Sequence, residues 1–156
     1  MFVVDTQTRQ AVEYWVRGLE TFHQNKAIRA GLQRAAKVFE REGRANLAVR
    51  LIDSPEAQRW RTGKTLRSFA TKVTVGRRSQ DGAVAVAGLK WPDGYKAHWL
   101  DLGTDLRYTK KEPKAYRGFV TPTHFFTDAR KEGEQEATNE LLDGIQQAIA
   151  HINNRR

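Results

Sequence analysis

Apolar residues recur at helical spacing along the first third of the chain. A first set predicts one face of a helix that begins at Asp5 or Thr6: Val12, Trp15, Val16, Leu19 and Phe22. A second set predicts an amphipathic helix over residues 27–42, or a continuation of the first helix, with Gly43 as its end: Ile28, Leu32, Ala35, Ala36 and Phe39. Residues 45–52 predict a further helical turn or two before the first proline disfavours helix.

The apolar period then changes from helical spacing to two. Residues 69–76 and 83–89 alternate small or β-branched apolar positions with other residues, which predicts two β-strands. A polar turn at 79–82 joins them, so the sequence indicates an antiparallel hairpin. The WPDG stretch at 91–94 has the composition of a further turn.

The stretch YKAHWLDLGT at 95–104 predicts a short helix that Gly103 ends. His98 and Asp101 lie together on one side of it. Asp101 is expected to accept hydrogen bonds from the backbone of the turn at Gly103 and Thr104. The neighbouring side is expected to anchor the helix through its large apolar residues: Tyr95, Trp99 and Leu102.

The last third of the chain begins with a polar, basic loop at 107–117. Phe119 and Val120 predict a short final strand, and residues 123–152 predict a long helix with an apolar stripe and an acidic outer face. The fold class expected is α+β: a small twisted antiparallel β-sheet flanked by N-terminal helices and a long C-terminal helix. One sheet face would be covered by helices, and the other would be open to a neighbouring subunit.

A chain of 156 residues is expected to form a single domain, 1–156. Within it we distinguish a helical N-terminal part at 6–52, a β-rich middle at 66–122 and the C-terminal helix at 123–152. The composition, 39% hydrophobic and 10% aromatic, is that of a folded globular protein. The sequence predicts neither a membrane span nor a secretory leader, and the absence of cysteine excludes disulfides, zinc ribbons and thiol catalysis.

The formal net charge is +9, and its distribution along the chain is uneven. Residues 57–80 contain seven basic residues and no acid, whereas residues 128–143 contain six acids and two basic residues. This layout suits head-to-tail contact between copies as well as it suits DNA. The RWR stretch at 59–61 places an aromatic residue between two basic ones, as in surfaces that stack on bases. Packing in the core or an interface is the preferred interpretation of the tryptophans.

Two His–Asp pairs are the arrangements that suit acid–base or metal chemistry: His98 with Asp101, and His124 with Asp128. The sequence has no HExxH, no glycine-rich phosphate loop and no GxSxG turn, and its GKT at 63–65 lacks the earlier glycine of a P-loop. We therefore predict no enzyme activity, no metal and no cofactor. The rival enzymatic interpretation is a metal-dependent nuclease that uses His98 and Asp101.

Four motifs, taken in order, resemble those of the tail-completion and head–tail joining proteins of lambdoid-type long-tailed double-stranded DNA phages. They are the helix texture AIRAGLQRAAKVF at 27–39, TGKTLRSF at 62–69, YKAHWLDLGT at 95–104 and TPTHFFTDA at 121–129. Asp101 stands where that family commonly has Glu, and Phe126 where it commonly has Leu. The resemblance covers about residues 27–150.

The resemblance implies a virion structural protein, made in the host bacterial cytoplasm, that forms a ring, commonly hexameric, at the neck or head-proximal end of the tail. The ring would complete or terminate the tail tube and join it to the head connector, so its partners would be tail-tube and connector proteins. The basic loop at 107–117 is the candidate for a part that reaches another ring or faces the lumen, and if it lines the lumen it would contact genomic DNA nonspecifically. The helix at 95–104 would be a structural joint without catalysis: Tyr95, Trp99, Asp101, Gly103 and Thr104.

A closed ring needs two different patches on each copy. The charge layout supplies basic candidates for the subunit interface or the lumen: Arg59, Arg61, Arg77, Arg78, Lys110, Lys111 and Lys114. It also supplies acidic candidates on the last helix: Glu132, Glu134, Glu136 and Glu140. The alternative function is a stand-alone, sequence-nonspecific double-stranded DNA-binding protein.

Overall fold

The computed structural model describes residues 5–53, 64–76, 82–91, 94–110 and 112–154, with the backbone alone at 51–53 and 95. The described elements confirm the α+β class, with helices and a two-stranded antiparallel sheet. In chain order they are α1 (Thr6–Val16), α2 (Thr21–Asp53), α3 (Lys64–Arg67), β1 (Phe69–Val75), β2 (Ala83–Leu89), α4 (Gly94–Leu102) and α5 (Phe125–Asn153).

The first helix begins as predicted and ends early. The Asp5 carboxylate caps α1 by accepting hydrogen bonds from the backbone N of Thr8 (2.9 Å) and from its hydroxyl (2.6 Å), which lower the pKa of Asp5. The helix ends at Val16, so the prediction that Leu19 and Phe22 continue its apolar face is wrong. Phe22 lies in α2 and is 72% exposed, because the break before Thr21 resets the helical phase.

The second helix is longer than predicted, because it continues through Gly43. This glycine is buried, and a Cβ at its position would lie 3.1 Å from ring atoms of both Phe69 and Phe126. One turn later Leu47 is fully buried, so packing on both sides of the glycine outweighs its low helix propensity. The prediction that Gly43 ends the helix is therefore wrong, and α2 is described as far as Asp53. The predicted break at Ser54 and Pro55 lies outside the described residues.

The hairpin is confirmed at the predicted strands. Backbone hydrogen bonds from Gly76 N to Gly82 O and from Lys90 N to Ser68 O fix its register. In that register Thr74 lies opposite Val84 and Lys72 lies opposite Val86, and all four are exposed. We call these four residues the open sheet face. Of the predicted turn at 79–82, residues 79–81 lie outside the described part of the chain.

The chain divides into two compact units, each with its own apolar cluster. Unit 1 comprises Met1–Arg41, Thr71–Ala87 and Glu132–Arg156, and unit 2 comprises Glu42–Ala70 and Gly88–Lys131, as far as these ranges are described. The unit 1 cluster consists of Val16, Ala27, Ala35, Val38, Phe39, Ala137, Leu141 and Ile145. The unit 2 cluster consists of Leu47, Phe69, Leu100 and Phe125. That the whole chain is a single domain stays a prediction.

Within unit 1, α2 and α5 approach each other closely at two glycines. A Cβ on Gly31 would lie 2.5 Å from the carbonyl oxygen of Leu141 and 2.6 Å from a side-chain carbon of Ile145. A Cβ on Gly144 would lie 2.8 Å from the Cα of Gly31. Two ion pairs on the same helices accompany this contact: Arg34 with Glu140 and Arg41 with Glu136. The two backbones touch only because neither glycine carries a side chain.

We therefore expect Gly31→Ala to destabilise the protein by about 1–3 kcal/mol, since the added methyl group must displace backbone as well as the Ile145 side chain. The free energy of unfolding from urea titration measures the effect. The control is Gly18→Ala, where no heavy atom lies within 4 Å of the new Cβ and the change should stay within about 0.5 kcal/mol. Equal effects of the two substitutions would contradict the close contact.

Candidate functional site

The YKAHWLDLGT stretch forms the predicted short helix, α4, and Gly103 ends it. Gly103 has φ +76°, in the left-handed region that favours glycine. A Cβ there would also lie 2.8 Å from the carbonyl oxygen of Val120. The glycine therefore both stops the helix and lets the chain at Val120 pass close behind it.

The apolar side of α4 is not the predicted one. Leu100 is 7% exposed and belongs to the unit 2 cluster, whereas Trp99 is 37% and Leu102 is 66% exposed. The prediction that Trp99 and Leu102 anchor the helix is wrong, because a short helix buries a narrow stripe and Leu100 occupies it. The side chain of Tyr95 lies outside what the structure describes.

Asp101 accepts its hydrogen bonds from a different element than the predicted turn. Its Oδ1 accepts hydrogen bonds from the backbone N of Phe126 (2.8 Å) and of Thr127 (3.2 Å), and its Oδ2 accepts one from the Thr127 hydroxyl (2.7 Å). These are the first free amides of α5, so Asp101 caps that helix from α4. The prediction that it bonds the turn at Gly103 and Thr104 is wrong.

The backbone around Asp101 strengthens the same connection. The carbonyl oxygen of Leu100 accepts hydrogen bonds from the backbone N (2.9 Å) and the hydroxyl (2.6 Å) of Thr123. The carbonyl oxygen of Asp101 accepts one from the backbone N of His124 (2.9 Å). The Thr123 hydroxyl is thus engaged with α4, which leaves the Asp101 carboxylate to cap α5.

Thr104 and Val120 close the connection on the other side. The backbone N of Thr104 donates to the carbonyl oxygen of Val120, and the backbone N of Val120 donates to the Thr104 hydroxyl, each at 3.0 Å. Because a side chain replaces one ladder bond, Phe119 and Val120 form no strand, and that prediction is wrong. We call this set of hydrogen bonds, from Leu100–Thr104 to Val120–Thr127, the clasp.

The clasp holds the two ends of segment 105–119, which we call the arm. Inside the predicted basic loop, Tyr108 and Tyr116 form an antiparallel bridge, and their rings lie 5.7 Å apart between centroids. Residues 112–117 are all exposed. The sequence interpretation did not single out these tyrosines, although RYTKKEPKAYR is nearly symmetric about its centre, a signal of two short strands that face each other.

The predicted interface residues fall in different places. Lys110 and Lys114 are exposed on the arm. Glu136 and Glu140 lie 2.6 Å from Arg41 and Arg34 of the same chain, while Glu132 and Glu134 are exposed on α5. The remaining basic candidates lie outside the described residues: Arg59, Arg61, Arg77, Arg78 and Lys111.

The two His–Asp pairs show no catalytic arrangement in the described residues. His98 is exposed and packs against the Trp99 ring at 5.2 Å between centroids, while Asp101 is engaged in the clasp. Asp128 pairs with Arg50 at 3.0 Å. Among the described residues, no group of three or more metal-ligating side chains is placed to hold a metal ion.

Comparison of the chain with protein-family models, with curated proteins and with solved structures finds no match. Within the ranges that the structure describes, every helix is too short or too polar to cross a membrane.

We expect Asp101→Ala to lower the free energy of unfolding by about 1–3 kcal/mol, because it removes the α5 cap and leaves the Thr127 hydroxyl without its acceptor. Chemical denaturation followed by circular dichroism measures the loss. Asp105→Ala, a nearby exposed aspartate, is the matched control and should change stability by no more than about 0.5 kcal/mol. If the clasp does not stabilise the protein, both variants will show the same small change in the free energy of unfolding.

Proposed function

We propose that this protein is a structural subunit of the phage neck or tail, whose copies join side by side into a closed ring that completes the tail tube and joins it to the head connector. The motif resemblance supports the phage setting. The open sheet face of unit 1 is the observation that carries the assembly. The proposal requires no catalytic residue.

The open sheet face has the character of an interface rather than of a solvent surface. Val84 and Val86 are 60% and 58% exposed, at alternate positions of β2, with Thr74 and Lys72 opposite them. The other face of β2 is covered, since Ala87 packs against the unit 1 cluster. Two exposed valines side by side on a pleated face form an apolar patch that a second chain can cover.

The edges of the sheet also favour an interface with another chain. Within the described residues the sheet has two strands, so each strand has one edge without a strand partner. Two-stranded sheets have little stability of their own, and open edges pair readily with strands of other chains. A neighbouring copy that adds a strand to this sheet would supply backbone hydrogen bonds to the open edge. Apolar residues of that copy would cover Val84 and Val86.

Apolar contacts rather than charges would hold such a ring. Burying the exposed part of each valine contributes on the order of 1 kcal/mol at every interface. Surface ion pairs contribute about 0–1 kcal/mol each, and Glu136 and Glu140 already have arginine partners within the subunit. The charged candidates would therefore select register while the sheet supplies affinity. Ring closure then requires a second, different patch on each copy.

We expect the purified protein to form annular oligomers in electron micrographs, and the double variant Val84→Lys/Val86→Lys to sediment as a monomer. Lysines at these positions place two charges where apolar contact is needed. Sedimentation velocity over a range of concentrations measures the change.

Val49→Lys is the control for this experiment. Val49 is 56% exposed on α2, in unit 2, so the substitution has the same chemistry at the same exposure away from the open sheet face. It should leave assembly intact. Wild-type protein that stays monomeric at high concentration would contradict the ring, and equal loss of assembly in both variants would contradict the role of the sheet.

A further inference from the structure

We infer that the arm, residues 105–119, is a binding element for the sugar–phosphate backbone of nucleic acid. The inference does not depend on the proposed ring. It rests on four features of unit 2: the excess positive charge of the arm, the three arm cations that form no ion pair with a carboxylate among the described residues, the exposed tyrosine pair, and the groove beside it.

The arm carries five basic residues and two acids, Asp105 and Glu112. Glu112 is occupied at the tip, since its Oε1 lies 3.9 Å from the Nζ of Lys114 and its Oε2 accepts a hydrogen bond from the backbone N of Lys114. No carboxylate among the described residues forms an ion pair with Arg107, Lys110 or Arg117. The positive charge of the arm is therefore left for an external partner.

Tyr108 and Tyr116 lie beside these cations on the bridge of the arm. They are 53% and 56% exposed, and each is next to an arginine in the chain, Arg107 and Arg117. Tyrosine hydroxyls, arginine and lysine are among the side chains that commonly donate hydrogen bonds to phosphate oxygens. Exposed aromatic rings next to cations also provide stacking surfaces for unpaired bases.

The arm also has a concave surface. A groove of about 620 Å³ is lined by Tyr108, Thr109, Lys110, Glu112, Pro113, Ala115 and Arg117. The tyrosine and the two cations of this lining, Tyr108, Lys110 and Arg117, belong to the set above. At the base of the arm, the Nε of Arg107 is buried and has no hydrogen-bond partner among the described residues.

The charge balance of the chain favours a nucleic acid over a second copy as the partner. Three of the six acids at 128–143 pair with arginines of the same chain: Asp128 with Arg50, Glu136 with Arg41 and Glu140 with Arg34. The hydrogen bond and charge of Glu140, with a contribution from Asp143, raise the pKa of Arg34. Half of the acids in that stretch of a neighbouring copy are thus already paired, whereas a phosphate backbone offers a regular row of negative charges.

The test compares Lys110→Ala/Arg117→Ala with the control Arg130→Ala/Lys131→Ala, which removes the same charge from exposed positions on α5. Binding to labelled duplex DNA of two unrelated sequences, and to single-stranded DNA, is measured by fluorescence anisotropy as a function of salt. We expect the wild-type protein to bind both duplexes alike. The arm variant should reduce the slope of log affinity against log salt by about 2, and the control should leave it nearly unchanged.

Equal slopes for the two variants would show that net charge alone attracts the nucleic acid and would overturn the inference, as would wild-type protein that binds no DNA at low salt. Arm-dependent binding to either form supports it. The preferred form then identifies whether the arm holds a duplex backbone or an unpaired strand. Sedimentation of the same variants separates this result from the ring: arm-dependent binding by a protein that never assembles contradicts the proposed ring and leaves this inference standing.

Discussion

Unit 2 depends on the hydrogen bonds that the carboxylate of Asp101 accepts. This carboxylate binds two backbone amides and one hydroxyl at the start of α5, a helix of 29 residues, and it places negative charge where the dipole of that helix favours it. Because Asp101 lies on α4, this single side chain connects the end of one helix to the beginning of another. The backbone hydrogen bonds of Leu100, Thr104 and Val120 extend that connection.

His98 and Asp101, three residues apart on α4, make separate contacts. The oxygens of Asp101 are already filled by donors of α5, and His98 faces outward beside Trp99. The conformation of the arm follows from the same bonds, since the arm leaves and re-enters the fold at the clasp. The clasp therefore holds the base of the arm, while its cationic tip is exposed.

Much of this fold follows from sequence periodicity, because periodicity reports which residues face an apolar layer. The strands at 69–76 and 83–89 and the last helix were predictable for this reason. The wrong predictions concern features that tertiary contacts determine. The length of α2 depends on Phe69 and Phe126, which pack against Gly43 from distant parts of the chain. The partner of Asp101 lies 25 residues away, and local pattern carries no information about such contacts.

Amide hydrogen exchange on the wild-type protein tests the clasp most directly, because it reports each hydrogen bond separately. The account predicts that the amides of Thr104, Val120, Phe126 and Thr127 exchange as slowly as those in the middle of α5, at a rate set by cooperative unfolding. Exchange of these four amides at the fast rate of exposed positions on the arm would contradict it. In that case Asp101 would not hold α4 to α5, and the arm would have no fixed base.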